Sequence, residues 1–297
     1  VLLIVQTTHH TMFEAKFDKA STLKRIIDAL SFLNEVNFDC TATGIALQAL
    51  DPAHVSLVAL LISADGFEEY RCDRPLTLGV NLESLSKILK CAGNDDSLTL
   101  RAADTGDRLT FIFEYKNRVS EFELTLNEID LEKLTIPDSD YSATVKLPSG
   151  EFQKTISSLT TLGDAVTVGV SDAGVTFSVT GPCNGSINLA QTAAVDDDAS
   201  TTITKTEDIT LNFAMRYMGY FTKATNLSAS VTLSFSNEVP LCVEYQIEDA
   251  SGSAPSVVKS EVKSEGADSK KSKAASSGKK RQRGYIRYYL APKIDDE

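Results

Sequence analysis

Hydrophobic and polar positions along this chain follow two rhythms. Four short spans carry the helical one. Over residues 20–33, Leu23, Ile26, Ile27, Leu30 and Leu33 recur at three- and four-residue spacing, with Lys24, Arg25, Asp28 and Ser31 on the opposite side. Residues 82–91 repeat the idea behind an Asn81 cap, with Leu82, Leu85 and Leu89 inward and Lys87 and Lys90 outward. A third helix is expected to start on a capping Ser149 with Glu151 in its first turn, Phe152, Ile156 and Leu159 inward and Lys154 outward. A fourth, over 214–224, presents Arg216 and Lys223.

Most of the remaining chain alternates with period two or is rich in β-branched residues, which predicts strands at 37–41, 44–50, 55–62, 68–72, 98–102, 108–115 and 119–126. The same signal recurs at 141–146, 165–170, 174–180, 185–190, 209–213, 231–235 and 241–247. Turn residues such as Asp65-Gly66 and Asp172-Ala173-Gly174 punctuate them at hairpin intervals. Many antiparallel strands with few helices define an α+β fold. The order helix, strand, glycine turn, strand, strand begins after Ala20, Leu82, Ser149 and Ala214, so four copies of one unit imply two similar domains with two helices each. The expected division is an extension at 1–11, a first domain at 12–126, a connecting loop at 127–141 and a second domain at 142–297. The loop carries Leu131, Leu134, Ile136 and Pro137, apolar residues that a plain linker does not need.

Charge changes this picture. The chain has 29 basic and 41 acidic residues, a net charge of −12, which alone speaks against a nucleic-acid partner. The average hides a segregation: the four helical spans sum to +4 and residues 250–283, rich in Ser, Ala, Gly and Lys, carry +6. That last segment has few large apolar side chains and is expected to be a flexible insertion outside the fold. Four helices that lean basic or neutral in an acidic chain point to one segregated surface.

Five cysteines, an odd number without CxxC or Cys/His spacing, argue against a disulfide framework or a zinc site and suit a reducing compartment. The apolar opening at residues 1–5 is far short of a membrane span and lacks the basic flank of a signal peptide, so a soluble intracellular protein is expected. No phosphate loop, GxSxG, HExxH or dinucleotide fingerprint occurs. His54 is the one histidine in a folded region, and the acidic pairs Asp95-Asp96, Asp104/Asp107 and Asp196-Asp197-Asp198 fit solvated turns better than a metal centre. No catalysis, cofactor or metal is expected; residues and spacing alone stop at a binding or scaffold protein.

Particular strings say more. Met12-Phe13-Glu14-Ala15, Leu50-Asp51 with His54-Val55-Ser56-Leu57-Val58, Tyr70-Arg71-Cys72-Asp73-Arg74, Leu85-Ser86-Lys87-Ile88-Leu89-Lys90-Cys91-Ala92-Gly93-Asn94, Pro148-Ser149-Gly150-Glu151-Phe152, Phe221-Thr222-Lys223-Ala224-Thr225, Val243-Glu244-Tyr245 and Tyr288-Tyr289-Leu290-Ala291-Pro292-Lys293-Ile294 run in order along the chain. Together they closely resemble the eukaryotic sliding-clamp family of proliferating cell nuclear antigen. The resemblance implies a homotrimeric ring of six similar domains around duplex DNA, lined by helices. Lys24, Arg25, Lys87, Lys90, Lys154 and Lys223 match its DNA-facing positions, which meet phosphates without reading bases. Phe122, Gly185, Ile187 and Leu189 match the strands that pair between subunits.

The resemblance further implies a pocket under the connecting loop for short partner peptides. Leu50, His54, Val55, Leu134, Ile136, Pro137, Pro240, Tyr289, Leu290, Ala291, Pro292 and Ile294 match it. The implied clients are replicative DNA polymerase (polymerase delta), clamp loader, flap endonuclease and DNA ligase, in replication and repair within the nucleus. Three departures stand out. The family's ubiquitin-accepting lysine falls on Asp172, the insertion separates Asp249 from Gly284, and residues 1–11 precede the usual start at Met12. Within the insertion, Lys259 and Lys263 sit in tandem apolar-Lys-x-Glu strings that look like SUMO acceptors. Lys270-Lys271 and Lys279-Lys280-Arg281 resemble a bipartite nuclear localisation signal. A checkpoint-type clamp subunit would share the fold but close a heterotrimer, and a monomeric nucleic-acid enzyme is the rival of a different class.

Overall fold

The computed structural model of the chain describes residues 11–103, 107–130, 134, 140–192, 200–248 and 282–293. The first half runs β1 (Thr11–Phe17), α1 (Ala20–Ala29), β2 (Glu35–Thr41), β3 (Gly44–Leu50), β4 (Ser56–Ser63), β5 (Glu69–Cys72), β6 (Leu76–Asn81), α2 (Leu82–Lys90), β7 (Ser97–Ala103), β8 (Arg108–Tyr115) and β9 (Arg118–Thr125). The second runs β10 (Ala143–Pro148), α3 (Ser149–Thr160), β11 (Ala165–Ser171), β12 (Gly174–Val179), β13 (Gly185–Ala190), β14 (Thr202–Lys205), β15 (Ile209–Ala214), α4 (Met215–Phe221), β16 (Ser230–Phe235), β17 (Leu241–Glu248) and β18 (Gln282–Leu290). Strands alternate buried and half-exposed residues, and Phe13, Phe17, Phe111 and Phe113 of the first half are almost fully buried, as are Phe152, Phe177, Phe213 and Phe235 of the second. Each such ring contributes about 1.5–3 kcal/mol of burial.

Three antiparallel sheets result, in the orders β5-β1-β7-β8-β9, β14-β10-β16-β17-β18-β4-β3-β2-β6 and β13-β12-β11-β15. The middle one is composite. Its β14-β10-β16-β17-β18 part repeats the order of the first sheet, and its β4-β3-β2-β6 part repeats the order of the third. The halves are thus copies, welded through seven residue pairs from Gly284↔Ile62 to Leu290↔Ser56.

Details confirm the copying. Gly44 and Gly174 open equivalent hairpin strands at φ 140° and 148°. A Cβ there would meet the Ile62 and Leu189 carbonyl oxygens at 2.1 and 2.4 Å, so only glycine fits both turns. Past the last strand of each half, the Asn127 amide donates to Gly79 at 2.9 Å and the Lys293 amide to Asn212 at 2.7 Å. Both capped strands, β6 and β15, are sheet edges.

Several boundaries differ from the sequence expectation. The first helix ends at Ala29; Leu30 and Leu33 stay buried in the turns that follow. Ser149 lies inside α3 behind Pro148 and caps nothing: its hydroxyl donates to the Ser228 carbonyl at 2.6 Å. The fourth helix divides into α4 and a 3-10 turn, Thr222–Leu227, so Lys223 sits on the latter. Strands β1, β6, β14 and β18 were not expected as strands. Thr11 belongs to β1 rather than to an extension. The insertion ends before Gln282, because Arg283 is buried, donating to the Gly66 carbonyl and to Asp18, each at 2.8 Å. Asp96 is no solvated turn residue: it is 3% exposed and accepts from the Gly93 amide at 2.8 Å and from Arg118 at 2.7 Å.

Candidate nucleic-acid and partner interfaces

The helices form one continuous row: α1 packs on α2 and on the 3-10 turn, and α3 packs on α4. This row carries the six basic residues expected to face DNA, but the structure uses them unequally. Lys24 is half-buried and donates to the Ala92 carbonyl at 2.7 Å and to Asn94 at 3.2 Å, tying α1 to the end of α2. Arg25 donates to the Asn226 carbonyl at 2.8 Å, across the two halves. Lys223 donates to Ser31 at 3.0 Å in the opposite direction. Lys87 is exposed and pairs with Glu83 at 2.7 Å, one turn earlier on α2. Lys90 and Lys154 are exposed, as is Arg216, whose guanidinium lies over the Tyr217 ring. The row is therefore positively biased, while several of its cations also stitch helices together.

The same seam holds an aromatic cluster. Phe32 stacks on Tyr220 with centroids 5.0 Å apart, and Phe221 stacks on Tyr288 at 4.6 Å. The buried Tyr288 hydroxyl donates to the Ala29 carbonyl at 3.1 Å.

The expected partner patch lies beside the same C-terminal end of β18, from Tyr289 onward. Val55 and Leu134 are 40% and 38% exposed, His54, Pro240 and Ala291 are exposed, and Leu50, Tyr289 and Pro292 are half-buried. Leu290 does not belong to its surface: the side chain is fully buried, with its backbone between Leu241 and Ser56. Ile136, Pro137 and Ile294 lie outside the described residues. The described residues of the connecting segment hydrogen-bond to successive strands. Asn37 of β2 donates to the Ile129 carbonyl at 2.8 Å, and Gln48 of β3 both donates to the Leu134 carbonyl at 2.7 Å and accepts from its amide at 2.9 Å. The Tyr289 phenol is pushed up to about 12, by burial first and then by its neighbour Cys242, and so stays a neutral donor at the patch.

Sequence reasoning missed what holds this patch in shape. Asp51, 4% exposed, accepts from the amides of Ala53 at 3.0 Å, Val55 at 2.8 Å and Ser56 at 2.7 Å, and fixes His54 at φ 57°. Its second oxygen also accepts from the Tyr217 hydroxyl of α4 at 2.9 Å. Burial raises the Asp51 pKa, but the Ser56, Ala53 and Val55 amides and the Tyr217 hydroxyl outweigh it and hold the carboxyl below its ordinary value. The only signal in the sequence was Asp before Pro-Ala-His, the composition of a side-chain-closed turn.

Asp172 is exposed and ion-paired to Lys205 at 2.9 Å. Lys259, Lys263 and the basic runs of the insertion lie outside the described residues. Among the described residues no cluster of metal-ligating side chains occurs, and no helix is long and apolar enough to cross a membrane.

Phe122 of β9 packs its ring on Phe113 at 5.8 Å and remains half-buried, as do Gly185, Ile187 and Leu189 of β13. β9 and β13 are terminal strands of their sheets. A duplicated α+β chain with one basic helical row and two such edges is the protomer of a DNA sliding clamp. Family models agree over almost the whole fold: the proliferating cell nuclear antigen N-terminal domain matches residues 12–134 and its C-terminal domain residues 135–256. The chain belongs to the proliferating cell nuclear antigen family.

Proposed function

We propose that this chain closes into a homotrimeric ring around duplex DNA and serves there as a processivity platform for replicative DNA polymerase. The observation that carries the ring is the internal weld. Following register from strand to strand, Ala15 pairs with Leu100, Leu100 with Phe111 and Phe111 with Phe122. The second half repeats this as Val145, Leu233, Val243 and Tyr288. Phe122 therefore stands where Tyr288 stands. By the same reckoning from the Gly44 and Gly174 turns, Gly185 stands where Val58 stands. Since Tyr288 pairs with Val58 inside the chain, Phe122 of one protomer pairs with Gly185 of the next, and Ser120 with Ile187.

Two different edges that match each other make a head-to-tail contact, which closes into a ring and removes both edges. The number three comes from the family resemblance. The basic helical row lines the hole and meets phosphates without sequence preference, and topology keeps the ring on DNA. The patch around Val55, Leu134 and Tyr289 takes partner peptides through aromatic and aliphatic anchors. Clamp loader, flap endonuclease and ligase are the further clients, and the two basic runs of the insertion support residence in the nucleus.

Light scattering on the purified chain tests the ring. A mass three times the 32.1 kDa of one chain is expected. A persistent monomer at micromolar concentration would shift the reading to the heterotrimeric, checkpoint-type clamp.

A further inference from the structure

The helical row repeats as faithfully as the sheets. Counting back from the equivalent pair Leu100 and Leu233, without any gap, Gly93 corresponds to Asn226 and Lys90 to Lys223. The buried faces Leu23, Ile26, Ile27, Leu30 of the first helical segment and Phe152, Thr155, Ile156, Leu159 of α3 superpose Arg25 on Lys154 and Ser31 on Thr160. Inside the chain these positions form two cross-braces over the weld: Arg25 to the Asn226 carbonyl at 2.8 Å, and Lys223 to Ser31 at 3.0 Å. All four positions keep their chemistry in the other copy. A cation stands for Arg25, a backbone carbonyl for Asn226, a lysine for Lys223 and a hydroxyl for Ser31.

We propose that Lys154 and Lys90 are ring-closing residues: Lys154 donates to the Gly93 carbonyl of the adjacent protomer, and Lys90 of that protomer donates to Thr160 beside Lys154. The inference rests on the ring described above and assigns two of its six expected DNA contacts to the protein itself. Other readings of these lysines fit less well. A phosphate-binding lysine needs no particular neighbour, whereas each of these two has, at the corresponding internal position, a cation already committed to a protein oxygen. Neighbouring positions show that the repeat need not preserve such pairs. Asp51 and Tyr217 correspond to Gly181 and Ser84, which cannot form an equivalent hydrogen bond between side chains.

The assignment predicts proximity between residues that lie in different halves of one chain. In a background with the exposed Cys91 and Cys183 replaced by serine, Lys90→Cys with Thr160→Cys is treated with a short bismaleimide and run on a denaturing gel. Covalent dimers and trimers are expected, and Lys90→Cys alone should give none. In parallel, Lys154→Met should raise the ring's dissociation constant about tenfold, since a charge-assisted hydrogen bond is lost at each seam. A variant that is trimeric by light scattering yet gives no ladder, or gives the same ladder from Lys90→Cys alone, would overturn the inference while leaving the ring intact. So would a Lys154→Met ring that dissociates like the parent and loses only DNA contact. A parent chain that is itself monomeric would overturn the ring and this inference together.

Discussion

The Tyr217 hydroxyl of α4 donates to the buried Asp51 carboxylate at 2.9 Å, joining residues far apart in sequence and in different halves of the chain. Through Asp51 the helical row is wired to the loop that carries His54 and Val55. Tyr217→Phe should therefore weaken binding of an aromatic-anchored partner peptide about three- to tenfold, with little change in unfolding midpoint. Removing one hydrogen bond costs about 1 kcal/mol. Titration calorimetry checks it; an unchanged affinity would show the loop to be self-sufficient.

Asp51 also gives the loop a pH dependence of known sign. Its folded-state pKa lies below the ordinary aspartate value, so the carboxylate contributes stability above that ordinary value and loses it as pH falls through the depressed one. Peptide binding should thus be flat from neutral pH down to the aspartate range and fall below it. Asp51→Asn should bind poorly at every pH and lack that acid limb.

Glu83 restrains Lys87 on the exposed face of α2. Glu83→Gln releases that ammonium and adds one positive charge per protomer to the helical row. Sliding rings should then hold DNA more tightly at low salt, with the slope of log affinity against log salt steeper by about one per additional phosphate contact. Single-molecule diffusion on duplex DNA across a salt series measures it.

Phe122→Ala truncates the aromatic side chain of the pair that opens β13 in the proposed protomer seam. A loss of about 2 kcal/mol, or roughly thirtyfold in dissociation constant, is expected from truncating a partly buried ring. Mass measurements over a dilution series would show it, and the monomers should remain folded because Phe122 lies at an edge of its sheet.

Arg283 anchors β18 from the far side. Its side chain is 7% exposed and bonded to the half-exposed Asp18 and the buried Gly66 carbonyl, so Arg283→Met leaves that carbonyl without this donor and should cost about 1–2 kcal/mol in urea unfolding. Replacing residues 250–281 by a short turn should do the reverse, raising stability by about 1–2 kcal/mol through a cheaper loop closure. The Glu248↔Gln282 pair already brings the two ends of that hairpin together.

The helices and most strands were legible in the sequence because burial imposes period 3.6 or 2 on them, and the fourfold order of units was legible for the same reason. What was missed had weaker local signals. β18 begins with Gln-Arg-Gly directly after a polar basic run, and its Arg283 is inside only because Asp18 and the Gly66 carbonyl wait for it. Asp96 was read as a solvated turn residue and Asp51 drew no reading of its own; the hydrogen bonds from Arg118 and Tyr217 that satisfy them arrive from distant sequence. The six basic residues expected to face DNA were visible as charges, but the commitment of Lys24 and Arg25 to backbone carbonyls was not, since backbone oxygens carry no sequence signature.

The stack of Phe32 on Tyr220 has a mechanical consequence. In the other copy those positions are Thr161 and Lys87, and the Tyr288 hydroxyl that reaches Ala29 is absent from Phe122. In the ring proposed above both kinds of joint share a strand pairing, but of the four rings at the internal one, Phe32, Tyr220, Phe221 and Tyr288, only Tyr288 has an aromatic counterpart, Phe122. Force applied to such a ring should part it between protomers and leave each chain whole, so the boundary behaves as a latch and the internal joint as a rivet. A ring of this build would open at its protomer boundaries and shut again without refolding either half.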